Sequence, residues 1–404
     1  MQIPLASRVR NVQPSLTLQL SARARALREA GRDVISFTAG ELDVGPPEAA
    51  LDEAAAALER GETRYTPAAG TPALRAEVAR RTSEETGVAL EPGHVIVCCG
   101  AKHALYNVVQ ALCEPGDEVV IPAPYWLSYP AMVKLAGATP VVAPTRPEHG
   151  YRLEPDALAA AIGPRTRLLV LNTPNNPTGA VYERERLEAI AQIVRAHPRL
   201  FVLTDEIYGK LTYGEAHHVP LWRVAPDLFE RSVLVDGVSK SYAMTGFRIG
   251  WAVGPAPVIA ACTRLQSHAT SGPCSISQAA ALAALRCRDE PIEPVRALLE
   301  QRRARMVAAL ERIPGFELVP PRGAFYCFPR VGAWLGRTID GRRIESALTL
   351  CEILLEQAGI ALVPGDPFGA PDHVRLSFAL GTDAMQRGLE RLHAFLAEHA
   401  EGGD

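Results

Sequence analysis

Lysine is scarce in this sequence, as rare as tryptophan at four residues each. Only four of its 42 basic residues are lysines, at positions 102, 134, 210 and 240, and the rest are arginines. Arginine stays protonated and does not readily act as a base or a nucleophile. A task that needs a primary amine, rather than a positive charge alone, must therefore fall on one of these four positions. Lys134 and Lys210 lie in no recognisable motif, and we expect them at the surface.

Other absences exclude whole classes of protein. The 45 acidic residues leave a net charge of -3, so there is no basic excess for binding nucleic acid or an anionic membrane. No apolar run reaches the roughly 18 residues of a membrane span, and the first residues lack the continuous apolar segment of a secretory signal. The eight cysteines show no C-x-x-C spacing, which favours reduced thiols. We therefore expect a cytoplasmic protein that acts on small molecules.

Short apolar runs alternate with helix-like stretches between about residues 95 and 255. Uninterrupted runs of Val, Ile and Leu are typical of strands that are covered on both faces. The alternation predicts an α/β domain with a mostly parallel sheet, whose ligands bind beyond the carboxyl ends of the strands. The seven runs are His94–Cys99, Glu118–Ile121, Pro140–Ala143, Arg167–Leu171, Phe201–Thr204, Ser232–Val235 and Ile249–Val253.

The C-terminal part of the sequence has a different pattern. An arginine-rich helical stretch over about residues 293–312 is followed by shorter apolar runs and by a final helix near residues 383–399. This pattern predicts a smaller α+β domain. We expect a large α/β domain over residues 46–290, and a small domain formed by residues 1–45, which include an N-terminal arm, and residues 291–404.

Lys240 lies in the most constrained segment of the chain, which runs from Gly237 to Gly250 and reads G-x-S-K-x-x-A-M-x-G-x-R-I-G. A lone lysine is usually a solvated charge, but this one follows a predicted strand and shares a Gly/Ser-rich turn with Arg248. The segment resembles the signature around the cofactor-bearing lysine of class I/II pyridoxal-phosphate aminotransferases. The resemblance covers about residues 8–398. It implies fold type I, with a seven-stranded sheet, and implies that Lys240 carries pyridoxal 5′-phosphate and acts as the base at the substrate Cα.

Further motifs of that family follow in the expected order. Asp205 and Tyr208 end a strand in the segment T-D-E-I-Y. The resemblance implies that Asp205 pairs with the cofactor's ring nitrogen and that Tyr208 donates to its phenolic oxygen. By itself, Asp-Glu after a strand is also typical of a helix N-cap. Asn176, in the segment N-P-T-G, is implied to contact both the ring oxygen and the substrate carboxylate, since an amide can donate and accept.

A phosphate site is indicated where residues 99–103 join a strand to a helix, because free N–H groups and the helix dipole favour an anion there. Arg248 can fork onto the phosphate oxygens. Many relatives carry a serine where this chain has Gly237, so that contact is either missing or supplied by Ser239. The residues implied around the phosphate are Gly100, Ala101, Lys102, Ser239 and Arg248.

Two aromatic residues complete the implied cofactor site. Trp126 matches the family's aromatic residue that stacks on the ring, although an aromatic residue at the start of the predicted helix Trp126–Ala136 is also typical of a core position. Tyr65, in the segment R-Y-T-P-A-A-G, matches a tyrosine that reaches the phosphate of the neighbouring subunit. The resemblance therefore implies a homodimer with shared active sites.

Substrate recognition is implied to rest on Arg375, in an otherwise apolar strand. An arginine there is costly unless it is paired, and its guanidinium can bind a carboxylate at two points. The segment Gly40-Glu-Leu-Asp43 resembles the family's G-E-P-D, whose glycine lies beside that carboxylate. Leu42 stands in place of the proline. Together with Lys102, Trp126 and Asn176, Gly40 and Arg375 form the expected substrate site.

Lys102 bears on which substrate is used. A branch of aspartate aminotransferases carries a lysine at this position, where it pairs with the distal carboxylate of the substrate. We therefore expect aspartate or glutamate, with 2-oxoglutarate or oxaloacetate, in a ping-pong reaction. Lys102 as a cation near the phosphate, or at a solvent-facing helix start, stays an alternative. Members that also take prephenate tend to have a basic residue near position 13; this chain has Gln13, so that activity is not expected.

The sequence also bears on several other functions. His217-His218 and the scattered acids lack the spacing of metal ligands, so no metal site is expected. No G-x-G-x-x-G joins a strand to a helix, which argues against a dinucleotide-dependent oxidoreductase. The chain has no DNA-binding extension that would point to a regulator built on this fold. An aminotransferase for aromatic or other amino acids, and a pyridoxal-phosphate-dependent lyase on the same fold, remain open because function depends on the site.

Overall fold

Helices and strands alternate along residues 5–12 and 16–400, the part of the chain that the computed structural model describes. The α-helices are α1 (Ser7–Arg10), α2 (Leu16–Glu29), α3 (Glu48–Glu59), α4 (Pro72–Thr86), α5 (Ala101–Leu112), α6 (Ser128–Leu135), α7 (Pro155–Ala161), α8 (Arg184–Ala196), α9 (Leu221–Val224), α10 (Ala256–Ala269), α11 (Ser275–Arg286), α12 (Ile292–Leu310), α13 (Ala347–Ile353) and α14 (Thr382–Ala400). The strands are β1 (Ile35–Ser36), β2 (Val95–Cys98), β3 (Glu118–Ala123), β4 (Thr139–Pro144), β5 (Thr166–Asn172), β6 (Phe201–Asp205), β7 (Ser232–Gly237), β8 (Gly250–Val253), β9 (Tyr326–Cys327), β10 (Thr338–Ile339), β11 (Arg342–Arg343), β12 (Ile360–Ala361), β13 (Val363–Pro364) and β14 (Val374–Ser377).

A seven-stranded sheet in the order β2-β8-β7-β6-β5-β3-β4 forms the centre of the fold. Its strands coincide, within two residues at either end, with the seven apolar runs of the sequence. All neighbours pair in parallel except β8, which is antiparallel to both β2 and β7. A parallel pairing needs a crossover connection, and residues 238–249 between β7 and β8 hold only the short 3-10 turn Thr245–Phe247. The short connection therefore accounts for the antiparallel direction of β8. Because the other four pairings are parallel, the predicted mostly parallel α/β sheet is confirmed.

The helices that cover this sheet each bury one apolar stripe. In α8, Leu187, Ile190, Ala191 and Val194 are buried at helical spacing while the rest of the helix faces outward, as an amphipathic helix packed on a sheet requires. Each such Leu or Ile contributes about 1.5–3 kcal/mol by leaving water. The predicted helix at Trp126 begins later, at Ser128, which leaves Trp126 in the loop that precedes α6.

A smaller set of strands is formed by residues from both ends of the chain. Strands β13, β14 and β9 form an antiparallel sheet, and β1 pairs in parallel with β12, with Ile35 opposite Ile360. The long helices α12 and α14 pack against each other beside them. This pairing agrees with a smaller unit built from both chain ends, whereas the domain boundaries at residues 45/46 and 290/291 stay a prediction.

Within the described residues, none of the helices is both long and apolar enough to cross a bilayer.

Candidate active site

A cavity of about 610 Å³ lies beyond the carboxyl ends of the central strands β5, β6 and β7. This is the edge at which parallel sheets bind their ligands. The residues expected at the active site that line it are Gly40, Ala101, Lys102, Trp126, Asn176, Asp205, Tyr208, Ser239, Lys240, Arg248 and Arg375. Residues more than 300 positions apart in the sequence thus face one another across this cavity.

Lys240 lies in the turn after β7, and its ammonium donates a hydrogen bond to the carbonyl oxygen of Gly40 at 2.6 Å. Burial, reinforced by the positive charge of Arg248, lowers the pKa of Lys240 to about 8. An ordinary lysine has a pKa near 10.4. A larger fraction of this amine is therefore uncharged near neutral pH, as a nucleophile or a general base requires.

Asp205 ends strand β6 and is only 3% exposed. Its carboxylate accepts a hydrogen bond from the Tyr129 hydroxyl at 2.6 Å and one from the Ile207 backbone N–H at 3.3 Å. Burial raises the pKa of Asp205 to about 6, although the Tyr129 hydrogen bond opposes that rise. A cationic ring nitrogen against this carboxylate would favour its ionised form and would itself be held protonated.

Arg375 projects from strand β14 and is 3% exposed. Its Nη1 donates to Asn176 Oδ1 and its Nη2 donates to the Thr38 carbonyl oxygen, both at 3.1 Å. The guanidinium lies over the Tyr326 ring, 4.4 Å from its centroid. Among the described residues, no group accepts a hydrogen bond from its Nε. A buried guanidinium with a free donor is suited to a carboxylate ligand, since a buried charge is costly until it is paired.

Arg248 and the start of α5 form a compact cationic corner of the cavity. Gly100 precedes α5 with a φ of 86°, and a Cβ built on it would lie 2.5 Å from Arg248 Nη2. Arg248 itself adopts a φ of 57°, and its Nη1 donates to the Thr245 carbonyl oxygen at 2.9 Å. The N-terminus of α5 and a guanidinium thus lie side by side, an arrangement that favours a phosphate group.

Lys102 and Trp126 lie together at the rim of the cavity. Lys102 Nζ is 4.8 Å from the centroid of the Trp126 ring, within the range of a cation–π interaction. Partial burial and the charge of Arg248 lower the pKa of Lys102. Lys102, at the start of α5, lines the cavity and is also exposed to solvent.

The structure places some of the expected residues elsewhere. Gly100 does not line the cavity, because it lies against Arg248. Tyr65 is 97% exposed and also lies outside the cavity lining. A Cβ on Gly237 would come within 2.8 Å of the Gly250 Cα, which leaves no room for a serine there, whereas Ser239 lines the cavity. Gln13 falls outside the described residues.

Two tyrosines that the sequence analysis did not select complete the site. Tyr129 holds Asp205, and the Tyr326 hydroxyl lies 3.1 Å from the Tyr208 hydroxyl while its ring faces Arg375. Both are at most 3% exposed. A local signal existed for Tyr129, which follows Trp126 by three positions. Tyr326 had no local signal, because these contacts join it to Arg375 and Tyr208, which are 49 and 118 positions away.

The sheet and the cavity together define the class of the protein. A mostly parallel seven-stranded sheet with one antiparallel strand holds a lysine, a buried carboxyl group and a buried arginine around one cavity at its carboxyl edge. The sheet and this set of residues are those of the fold type I transferases that the motifs imply.

Comparison with known proteins gives the family. The model for "Aminotransferase class I and II" matches residues 32–392. The aspartate aminotransferase of Geobacillus stearothermophilus is 46% identical over 98% of this chain and 100% of that protein, and that of Bacillus subtilis is 41% identical over the same shares. The solved aspartate aminotransferase of Rhizobium meliloti has a TM-score of 0.94 at 38% identity, over 98% of this chain and 99% of that chain. That of Thermus thermophilus with maleate has a TM-score of 0.91 at 40% identity, over 98% and 100%.

The chain therefore belongs to the class I and II aminotransferases. It is a transferase enzyme, as the Lys240 segment predicted, and its fold is the predicted fold type I. These comparisons give no support to the other functions considered from the sequence, which were an oxidoreductase, a metal enzyme and a regulator.

Proposed function

We propose that this enzyme moves an amino group between aspartate or glutamate and 2-oxoglutarate or oxaloacetate, with pyridoxal 5′-phosphate bound in the cavity. The observation that carries this proposal is the convergence of Lys240, Asp205 and Arg375 on one cavity that also contains Lys102. Arg375 and Lys102 can pair with the two carboxylates of a dicarboxylic amino acid. The Lys240 amine and the buried Asp205 suit a cofactor with a basic ring nitrogen.

The residues around the cavity fit the cofactor. Burial raises the pKa of Asp205 to about 6, and the protonated ring nitrogen of the cofactor would give this carboxyl group a cationic partner. Tyr208 and Asn176 offer hydrogen bonds to the ring oxygen, and Trp126 offers its face to the ring. The phosphate group fits the corner formed by Gly100, Ala101, Lys102, Ser239 and Arg248. When bound, pyridoxal phosphate supplies an electron sink for the charge left when the substrate Cα is deprotonated.

Lys240 has two tasks in this proposal. Its amine attaches the cofactor, and once free it takes the proton from the substrate Cα. A pKa of about 8 in the folded chain suits both tasks, because the amine is then basic enough to accept a proton and is uncharged in a useful fraction of molecules. The same site serves the amino acid and the oxo acid in turn, so we expect ping-pong kinetics.

Two cations select the substrate. Arg375, whose buried Nε has no acceptor within the described residues, is placed to bind the carboxylate next to the reacting carbon. Asn176 is positioned by Arg375 to contact the same group. Lys102 is placed to pair with the distal carboxylate. The relatives named above are aspartate aminotransferases, and one was solved with maleate, a dicarboxylate. These names support an acidic substrate for this chain.

A homodimer is part of the proposal. Tyr65 is 97% exposed on the single chain. Such exposure is unusual for tyrosine, which is on average partly buried. A second copy that covers this surface would bring Tyr65 to the phosphate corner of the neighbouring site. The cytoplasmic location remains a prediction of the sequence.

A half-reaction screen tests the proposed substrates. The cofactor-loaded enzyme is mixed with each amino acid alone, and conversion of the aldehyde form of the cofactor to its amine form is followed by absorbance. We expect aspartate and glutamate to convert the enzyme. The acidic substrate is wrong if both are inert while aromatic or sulfur amino acids react.

Two variants separate the roles in that screen. Lys240→Ala should neither bind the cofactor covalently nor transaminate, and full activity in this variant would contradict the proposed function itself. Lys102→Ala should lose activity with aspartate and glutamate while keeping its activity with a neutral amino acid. An equal loss with both kinds of substrate would instead place Lys102 at the phosphate.

A further inference from the structure

Residues 38–43, here called the Gly40 loop, hold two of the proposed active-site residues through backbone oxygens. The Thr38 carbonyl accepts from Arg375 Nη2 at 3.1 Å, and the Gly40 carbonyl accepts from Lys240 Nζ at 2.6 Å. The direction of both cations therefore depends on where this loop lies. A shift of the loop would move the carboxylate-binding group and the reacting amine together.

The Gly40 loop is fixed from outside the cavity by a forked ion pair. Arg302 of α12 donates from Nη1 and Nη2 to the two carboxylate oxygens of Asp43, at 2.6 and 2.9 Å. Arg302 is 5% exposed, and its Nε donates to the Thr382 hydroxyl at the start of α14, at 3.2 Å. Two parallel charge-assisted hydrogen bonds define both distance and orientation. The pair thus ties the loop to two long helices.

Leu42 makes this ion pair more important. The segment resembles a G-E-P-D motif in which a proline restricts the loop, whereas leucine leaves the backbone φ free. The other contacts at this end of the loop are the packing of the Leu42 side chain on the core, a hydrogen bond from the Asp43 N–H to the Ala379 carbonyl at 3.2 Å and one from the Thr245 hydroxyl to the Glu41 carboxylate at 3.0 Å. The Arg302 fork is the contact that holds both carboxylate oxygens of Asp43.

We propose that Arg302 and Asp43 are positioning residues for the transamination reaction, because their ion pair fixes the Gly40 loop and so orients Arg375 and Lys240. Neither side chain lines the cavity, so each acts through the loop. The inference rests on the roles proposed above for Lys240 and Arg375. It assigns a function to a contact that by its location would otherwise only stabilise the fold.

The first test uses Arg302→Lys, which keeps the charge but loses the fork, and Asp43→Asn. Because Arg375 binds the carboxylate of both substrates, we expect KM for the amino acid and for the oxo acid to rise together by about 10-fold. The dissociation constant of maleate should rise by the same factor, and kcat should also fall, because the same loop orients the Lys240 amine. Asp43 is one-third exposed in its side chain, so Asp43→Asn should fold even if Arg302→Lys does not.

A second readout needs no cofactor. In the apoprotein, the pH midpoint for reductive methylation of Lys240 should fall in both variants, because release from the Gly40 carbonyl removes an acceptor that favours the ammonium form. Arg296→Lys is the matched control, since Arg296 lies on the same helix and pairs with Glu293 and Glu300 instead. This control should leave KM, maleate binding and the methylation midpoint unchanged.

Restoring the proline provides the rescue. No hydrogen bond from the Leu42 N–H is found in the described part of the chain, so Leu42→Pro removes no donor in use. In the Arg302→Lys background it should recover a large part of the lost affinity for maleate. Wild-type KM and maleate affinity in Arg302→Lys and Asp43→Asn, with only a lower melting temperature, would overturn the proposal. If the wild-type enzyme itself transaminates no amino acid, the proposed function has failed instead, and maleate binding still tests the loop.

Discussion

At the scale of single residues, the scarce lysines show how surroundings set the chemistry of one side chain. Lys240 is buried beside Arg248, and its pKa is lowered to about 8. Burial also acts on Lys210, but it is outweighed by Glu85 at 2.7 Å and Asp289 at 3.5 Å, so its pKa is raised. Lys210 is thus a half-buried ion-pairing residue rather than the surface charge we expected, whereas Lys134 is exposed, as predicted.

Asp205→Asn should stabilise the apoprotein while removing activity. In the folded chain the pKa of Asp205 is about 6 against an ordinary value of 3.8, so the folded state binds more protons between these values and stability falls as pH rises through that window. At pH 7 the ionised carboxylate costs up to about 3 kcal/mol. Urea unfolding should show a gain for Asp205→Asn at pH 7 that shrinks below pH 6 and vanishes near pH 4; a gain independent of pH would contradict this account.

Two substitutions of Tyr326 can separate the role of its hydroxyl group from the role of its ring. Tyr326→Phe removes the 3.1 Å contact with the Tyr208 hydroxyl but keeps the ring under Arg375, so we expect kcat to fall by about 3- to 10-fold with KM unchanged. Tyr326→Leu also removes the ring, and KM for both acids should then rise. Steady-state kinetics with aspartate and 2-oxoglutarate distinguish the two. Equal kinetic constants for the two variants would show that the ring does not hold Arg375.

At the scale of elements, the turn between β7 and β8 decides which phosphate contacts are possible. Gly237 pairs with Gly250 across these antiparallel strands, and Gly250 in turn lies against the start of α5. Three backbone segments therefore meet with no room for a side chain. In this chain Gly237 and Gly250 therefore allow close packing, while Lys240 and Arg248 of the same segment are the residues proposed to carry the chemistry.

Gly237→Ser tests that packing, since it introduces the serine found in many relatives. A Cβ there would lie 2.8 Å from the Gly250 Cα and 2.9 Å from the Ile249 carbonyl oxygen, both backbone atoms that cannot move freely. We expect a loss of about 1–3 kcal/mol in the free energy of unfolding and no gain in cofactor affinity. Ser241→Ala, in the same turn, serves as the control. Tighter cofactor binding by Gly237→Ser would show that the turn adapts.

At the scale of the whole molecule, the question is whether one chain suffices for an active site. Tyr65 does not line the cavity of its own chain and is almost fully exposed. If active sites are shared, Lys240 and Tyr65 of one site come from different copies. That arrangement can be tested by mixing variants that are each defective.

Mixing Lys240→Ala with Tyr65→Ala should restore activity. In a hybrid dimer one site would combine the intact Lys240 of one copy with the intact Tyr65 of the other, while the second site carries both defects. Random re-association should therefore give about a quarter of wild-type activity, after each variant alone has been measured as the baseline. Activity equal to the average of the two variants would contradict shared sites, and a monomer mass in gel filtration would exclude the dimer.

Much of the fold could be predicted from local sequence. Buried strands such as Phe201–Asp205 are continuous apolar runs, and amphipathic helices such as α8 repeat their apolar residues every three or four positions, so each element carries its own signal. The antiparallel direction of β8 had no such signal, because it depends on a connection too short for a crossover. The start of α6 at Ser128 was also missed, since no capping residue marks it.

The amino-acid sequence by itself determined the chemistry of this protein: which amine is available, which residues follow the strands, and which motifs they form. The family comparisons confirmed the family and the fold type that those motifs imply. Only the tertiary structure decided how the chemistry is supported. Tyr129 on Asp205, Tyr326 on Tyr208 and Arg302 on Asp43 join residues that are 76, 118 and 259 positions apart. Contacts over such separations are made by packing of whole elements, and no local pattern of residues encodes them.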